Sequence, residues 1–202
     1  MIPWAFLLAQ AGYRAILVDL RGHGRSTGQS FSCGKYECTD LIQLLDYLVA
    51  QHICDERVGV LGLSFGADLA LHWAARDPRI RTVVAIAPYN RPEDAMVRFA
   101  KEMKIPISSH KLDQAMEAVA FKLELNWDDL SGVAAMKKIS RPVFLIGGEK
   151  DLISPPEDLN QIKQVAAAGT KLLMVPEANH FVIGFWFHEI ADPVTAWFQA
   201  QL

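Results

Sequence analysis

A serine between two glycines, an aspartate and a histidine each follow a short apolar run in this sequence, and together they could transfer an acyl group. Ser64 stands in Gly62-Leu63-Ser64-Phe65-Gly66, where the run Val58 to Leu63 gives way to a helical pattern. A strand-to-helix turn that tight holds the serine at strained backbone angles, with its hydroxyl exposed above the sheet. Glycines two positions to either side are expected to let strand and helix approach without a Cβ clash. The N–H of Phe65, at the helix start, is then aimed where an oxyanion would form, with the positive helix end behind it. A hydroxyl is a poor nucleophile until a base takes its proton, so a histidine and an acid must converge on Ser64. Asp151 follows the run Pro142 to Ile146, and His180 follows Lys171 to Val175. Parallel strands put their C-terminal ends on one rim, so all three can meet there in the chain order Ser, Asp, His. Glu149 and Glu177 are the competing acids and rank below Asp151. The other histidines, His23, His52, His72, His110 and His188, need no catalytic role, although His23 in the "RGHG" turn could line the mouth of the site.

Positioning these residues takes a sheet buried on both faces. Arg14 to Leu20, Val58 to Leu63, Thr82 to Ala87, Pro142 to Ile146 and Lys171 to Val175 are near-continuous in Val, Ile, Leu and Ala, which predicts parallel strands covered by helices. Asp40 to Ala50, Ala67 to Ala75, Leu159 to Ala168 and Glu189 to Gln201 carry a period near 3.6 and predict the covering helices. The fold class is therefore α/β, in a single domain spanning residues 1–202. Residues 89–140 break the alternation: Met96, Phe99, Ala100 and Met103, then Leu112, Ala115, Met116, Val119 and Leu123, fall at helical spacing and predict a helical cap inserted into that domain.

Composition bounds the partners. The 202 residues are 51% hydrophobic and carry 20 Lys and Arg against 23 Asp and Glu, without a run of like charge. That excludes the electrostatic footprint of a nucleic-acid or anionic-membrane binder and favours a small-molecule acyl substrate. No stretch reaches the ~18 apolar residues of a membrane span, and "MIPWAFLLAQAG" lacks a basic flank and a cleavage site, so a cytoplasmic protein is expected. Cys33, Cys38 and Cys54 match no common zinc or redox spacing and are read as reduced structural thiols. No cofactor and no metal are called for. Four of the six methionines, Met96, Met103, Met116 and Met136, lie in the cap with Phe99, Phe121 and Trp127, which suits an adaptable acyl or alkyl pocket. Basic and acidic residues number eight each between Arg91 and Lys138, which argues against a strongly charged substrate.

The stretches "DLRGHGRSTG", "GKYECTDLIQLLDYL", "GLSFGA" and "RTVVAIAPY" resemble the α/β-hydrolase family, with most likeness to its dienelactone hydrolase-like and prolyl-oligopeptidase-like branches. The resemblance implies Ser64 as nucleophile, His180 as general base and then acid, Asp151 as the group orienting the imidazole, and an ester, thioester or similar acyl bond as substrate. It also implies a strand and a short His-Gly loop ahead of the helix in "IPWAFLLAQAGYR", the loop supplying a second oxyanion N–H. Neither precedes that helix in this sequence. The expectation is an N-terminally truncated hydrolase fold with a gap between the Arg14 to Leu20 and Val58 to Leu63 strands, or a variant in which those two strands pair directly. Tyr36 and Tyr89 are then the first alternative donors. Two other readings stand beside the hydrolase: a catalytically degenerate binding or scaffold protein of the same fold, and a dinucleotide-binding protein using Gly22, Gly24 and Gly28 after the run "AILVDL".

Overall fold

The structure is a computed structural model and describes residues 1–28 and 31–202. Its sheet has four parallel strands in the order β1 (Val58–Leu63), β2 (Ile80–Ile86), β3 (Val143–Gly148) and β4 (Lys171–Val175). Strand and space run in the same order, so each crossover returns on a helix, as short parallel neighbours require. Eight helices surround the sheet among the described residues: α1 (Ile2–Gln10), α2 (Glu37–Ala50), α3 (Phe65–Arg76), α4 (Pro92–Glu102), α5 (Ser109–Leu123), α6 (Gly132–Met136), α7 (Pro156–Gln164) and α8 (Phe187–Gln201).

The period-2 pleat divides the core. Val83, Ala85, Val143 and Leu145 face one side and pack with Leu41 and Leu45 of α2, Leu69 to Ala74 of α3 and Ile162 of α7. Val84, Ile86, Phe144 and Ile146 face the other and pack with Trp4 of α1 and with Ile190, Val194, Trp197 and Phe198 of α8. Both faces being apolar explains why these strands read as continuous hydrophobic runs. Residues 89–140 hold α4, α5, a 3-10 turn at Trp127–Leu130 and α6. Of these α5 has no buried residue, whereas α6 buries Ala135 and Met136 in the core.

Two expectations are overturned here. Arg14 to Leu20 is not a strand, and it does not pair with β1. Its residues run past β1 without a ladder, leaving Ile16, Leu17 and Val18 at 43%, 52% and 41% exposure. Between this segment and β1 opens an apolar cleft of about 1380 Å³. A β-branched run supplies extended backbone locally, but a strand exists only where a second row of N–H and C=O groups lies within hydrogen-bond reach. The other correction concerns α7, which ends at Gln164 instead of continuing to Ala168. Thr170 N–H donates to the carbonyl of Ala167 (3.2 Å), and Gly169 at φ +84° turns the chain toward β4.

Among the described residues no helix is long and apolar enough to cross a membrane.

Candidate active site

Ser64 ends β1 and opens α3 with φ +54° and ψ −120°. A non-glycine residue at positive φ is strained, and tertiary structure must hold it there. Ser64 N–H does part of this by donating to the carbonyl of Ile86 (2.8 Å), one step past the paired strands. The carbonyl of Ser64 in turn accepts from Ala67 N–H (2.8 Å) and Asp68 N–H (3.1 Å), starting the helix at once. The two flanking glycines differ. A Cβ on Gly62 would lie 2.0 Å from the Gly66 carbonyl oxygen, so only glycine fits. A Cβ on Gly66 would meet nothing within 4 Å, because that face looks into the cleft beside β1. The expected close-approach role therefore belongs to Gly62 alone.

The loops after β3 and β4 are stitched to each other. Glu149 N–H donates to Val175 (3.0 Å) and Lys150 N–H to Ala178 (3.0 Å), and a Cβ on Gly148 would lie 2.2 Å from the Ala178 carbonyl oxygen. Asp151 follows, 1% exposed. Its Oδ1 accepts from the N–H groups of Ile153 (2.9 Å) and Ser154 (2.7 Å), which leaves Oδ2 free to face His180. His180 Nδ1–H donates to that Oδ2 at 2.8 Å, and His180 Nε2 lies 2.7 Å from Ser64 Oγ. With Nδ1 holding the proton for Asp151, Nε2 is left as the acceptor for the serine hydroxyl.

The structure thus brings Ser64, His180 and Asp151 into one hydrogen-bonded line and leaves the competing acids outside it. Glu177, at φ +62°, turns away and pairs with Lys150, and Glu149 is exposed. Phe65 N–H, the first of α3, has no acceptor among the described backbone hydrogen bonds. Among the described residues, neither tyrosine named as a second donor has a polar contact in the site. Tyr36 is exposed, with Arg21 and Lys35 over its ring, and Tyr89 is buried beside Phe65, Ala95 and Ile153, where desolvation raises its pKa.

Several supporting residues carried no separate signal in the sequence. Ser154 donates its hydroxyl to the carbonyl of Pro88, tying the Asp151 loop to the end of β2. Asn179 Oδ1 accepts from Phe181 N–H (3.0 Å) and Val182 N–H (3.3 Å), which fixes the turn carrying His180. Trp4 of α1 reaches across to donate to the Gly184 carbonyl at 2.9 Å, 180 residues away. Only the small-residue pair Gly147-Gly148 and the Asn-His step hinted at such turns.

The glycine loop after Leu20 is occupied by its own chain. Asp19 accepts from Arg25 N–H (3.0 Å), and a Cβ on Gly24 would lie 2.2 Å from Asp19 Oδ2. A carboxylate sits where a pyrophosphate would need open N–H groups, and the next helix starts only at Glu37, so this loop does not form a dinucleotide cradle. Gln29 and Ser30, which follow the third of these glycines, lie outside the described residues. Cys33, Cys38 and Cys54 are free thiols; burial pushes Cys33 up to about 11 and Cys38 up to about 12. Among the described residues no group of His, Cys, Asp and Glu is arranged to hold a metal ion.

Comparison with known proteins agrees with this architecture. The esterase Pf2001 of Pyrococcus furiosus superposes on all of this chain and 75% of its own, with a TM-score of 0.80 at 22% identity. The chain has the α/β-hydrolase fold. A second α/β-hydrolase-fold structure, the monoacylglycerol lipase of Paleococcus ferrophilus, matches over 99% of this chain and 88% of its own with a TM-score of 0.68 at 20% identity. In sequence, residues 3–101 match the X-Pro dipeptidyl-peptidase (S15) family. An uncharacterised 31.7 kDa protein of Escherichia coli is 22% identical over 98% of this chain and 85% of its own length. A serine hydrolase-like protein of Dictyostelium discoideum is 28% identical over 68% of this chain and 40% of its own.

Proposed function

We propose that this protein is a serine hydrolase that cleaves an ester or similar acyl bond through a covalent acyl-enzyme. The observation that carries the reading is the continuous line from Ser64 Oγ through His180 to Asp151, at 2.7 and 2.8 Å. Ser64 Oγ attacks the carbonyl carbon while its proton passes to His180 Nε2. Asp151, buried and held by two backbone N–H groups, keeps the imidazole in the required tautomer and stabilises the imidazolium as it forms. The oxyanion faces Phe65 N–H at the positive end of α3. As the tetrahedral intermediate collapses, His180 returns the proton to the leaving alcohol. Water then repeats the sequence on the acyl-serine and releases the acid. The esterase and lipase structures that share the fold support this choice of bond.

A fluorophosphonate probe tests the assignment. It should label Ser64 in the parent protein and leave Ser64→Ala unlabelled; equal labelling of the variant would remove Ser64 from the mechanism. The competing reading, a binding protein that keeps the fold without turnover, draws on the cleft beside β1, since Phe65 N–H is the one oxyanion donor identified among the described residues. Labelling of Ser64 without release of product from any ester would favour it.

A further inference from the structure

We infer that the half-open hollow between α4, α5 and residues 31–33 is the acyl subsite of the Ser64 centre, and that it selects a linear aliphatic chain of medium length. This rests on the serine hydrolase reading above. The hollow measures about 220 Å³ and is lined by Phe31, Cys33, Met96, Met116, Val119 and Leu123, with Lys122 as the one charged wall residue among the described residues. One of its walls rests on the residue that follows the nucleophile, and the other adjoins the cluster on which that residue packs. The Phe31 ring packs on the Phe65 ring with centroids 4.6 Å apart, and Phe65 packs against the buried cluster of Tyr89, Ile153 and Ala95, the last being the neighbour of Met96 on α4.

The state of α5 gives the hollow its occupant. Leu112, Met116, Val119 and Leu123 form an apolar row at helical spacing, yet each remains only half-buried and none of the helix is in the core. An amphipathic helix normally buries such a row against protein. Here α5 is held instead at its end, where Lys35 Nζ donates to the carbonyls of Leu123 (2.6 Å) and Glu124 (3.4 Å), so the row stands over the hollow without filling it. An aliphatic chain laid there removes apolar surface from water on both itself and the helix. Size limits its length: an apolar cavity of about 150 Å³ holds a six-carbon ring, so 220 Å³ takes about eight or nine carbons. Methionines on both walls, Met96 and Met116, let the hollow adapt to chains slightly longer or shorter. A dipeptide with a free ammonium group would meet Lys122 and, among the described residues, no carboxylate on this wall.

The test compares p-nitrophenyl octanoate with p-nitrophenyl acetate, and separately measures octanoic acid binding to Ser64→Ala by calorimetry. Each buried methylene is worth about fourfold, so the octanoate ester should exceed the acetate ester in kcat/KM by at least about tenfold. Val119→Trp on α5 and, from the opposite wall, Met96→Trp should each bring that ratio close to one and abolish octanoic acid binding. Phe121→Ser, on the outer face of α5 where the ring is 88% exposed, should leave the ratio unchanged. A flat chain-length profile in a protein whose Ser64 is labelled by fluorophosphonate overturns the subsite and leaves the hydrolase reading standing. If no ester is turned over, the binding arm decides: saturable octanoic acid binding to Ser64→Ala that is lost when either tryptophan is added supports the subsite, and its absence in Ser64→Ala, or its survival in either tryptophan variant, overturns it.

Discussion

The two flanks of β1 are built from similar residues and end up in opposite states. On one side β1 pairs along its length with β2, and beyond it β3 and β4 continue the ladder to the loops that carry Asp151 and His180. On the other side the equally β-branched Ala15-Ile16-Leu17-Val18 stays irregular and unpaired across an apolar cleft. The paired flank fixes Ser64 through Ile86 and the histidine loop through Gly148 and Ala178, so three side chains from distant segments meet within hydrogen-bond distance. The open flank adds a largely apolar cleft that reaches Gly66, and among the described residues the side chain hydrogen-bonded to Ser64 Oγ comes from the paired flank. Parallel pairing is what converts apolar sequence into a platform precise enough for chemistry.

The comparison can be broken most decisively at its paired side. Ser64→Ala or His180→Ala should lower turnover of an activated ester by about 10⁴ to 10⁶, measured against the parent protein; a loss of only a few-fold would show that the paired rim is not the reacting centre. Asp151→Asn should cost about 10⁴, because the imidazole would present the wrong tautomer, whereas Glu177→Gln and Glu149→Gln should stay near the parent rate. Turnover by Asp151→Asn at the parent rate would move the acid elsewhere.

The open flank makes a smaller prediction about reactivity. With Phe65 N–H as donor, the centre should favour p-nitrophenyl esters, whose leaving group demands least of the oxyanion, and a site short of one donor runs slower by about 10² to 10³ on ordinary alkyl esters. Steady-state rates on matched p-nitrophenyl and ethyl esters of one acid would measure this, relative to their uncatalysed rates. Equal acceleration of both would require a second donor near Ser64.

Stability should divide along the same line. Leu145→Ala, in fully buried β3, should cost about 2–5 kcal/mol by denaturant unfolding, and Leu17→Ala, half-exposed beside the cleft, no more than about 0.5 kcal/mol. Amide exchange at residues 15–18 should likewise be fast beside that of β2. A large loss at Leu17 would mean that the cleft contributes to folding.

The smallest effect lies beneath α3, where His72 Nε2–H donates to the Leu130 carbonyl (3.0 Å) and anchors the cap's 3-10 turn to the core. Burial lowers His72 from 6.5 to about 4. Between those values the unfolded chain takes up a proton that the folded chain refuses, so the stability contributed by neutral His72 is full above about 6.5 and is lost as pH falls toward 4. Its neighbour Asp68, with Oδ1 3.8 Å from Nε2, is raised well above the usual carboxylate range by burial, and its protonated state loses stability in the opposite direction, as pH rises. Thermal melts should therefore show His72→Gln flattening the acid limb and Asp68→Asn raising Tm more at pH 8 than at pH 5. Parallel curves for variant and parent would show that this pair is not buried in its neutral forms.

The candidate centre was legible because its parts are local patterns in a known order. The glycines around Ser64, the apolar runs ahead of Asp151 and His180, and the chain order Ser, Asp, His all lie within single short windows. The sequence ranks Glu149 and Glu177 below Asp151, but all three stand within a few residues of a strand end, so it is the three-dimensional structure that separates them. What separates them is the direction of each side chain, set by the Ile153 and Ser154 N–H groups for Asp151 and by Lys150 for Glu177.

By itself the sequence determined the α/β class, the two-faced strands, the helical spacing in residues 89–140 and the residue types at the centre, because hydrophobic period, glycine and proline placement act over a few residues. Whether Arg14 to Leu20 became a strand was decided by tertiary structure, since a ladder needs a partner backbone that no local pattern supplies. The same holds for Gly66, whose missing Cβ faces a cleft instead of a neighbour, and for α5, whose apolar row was legible as helix but whose half-buried state depends on the hollow beneath it. Periodicity specifies which face is apolar; only packing specifies what, if anything, covers it.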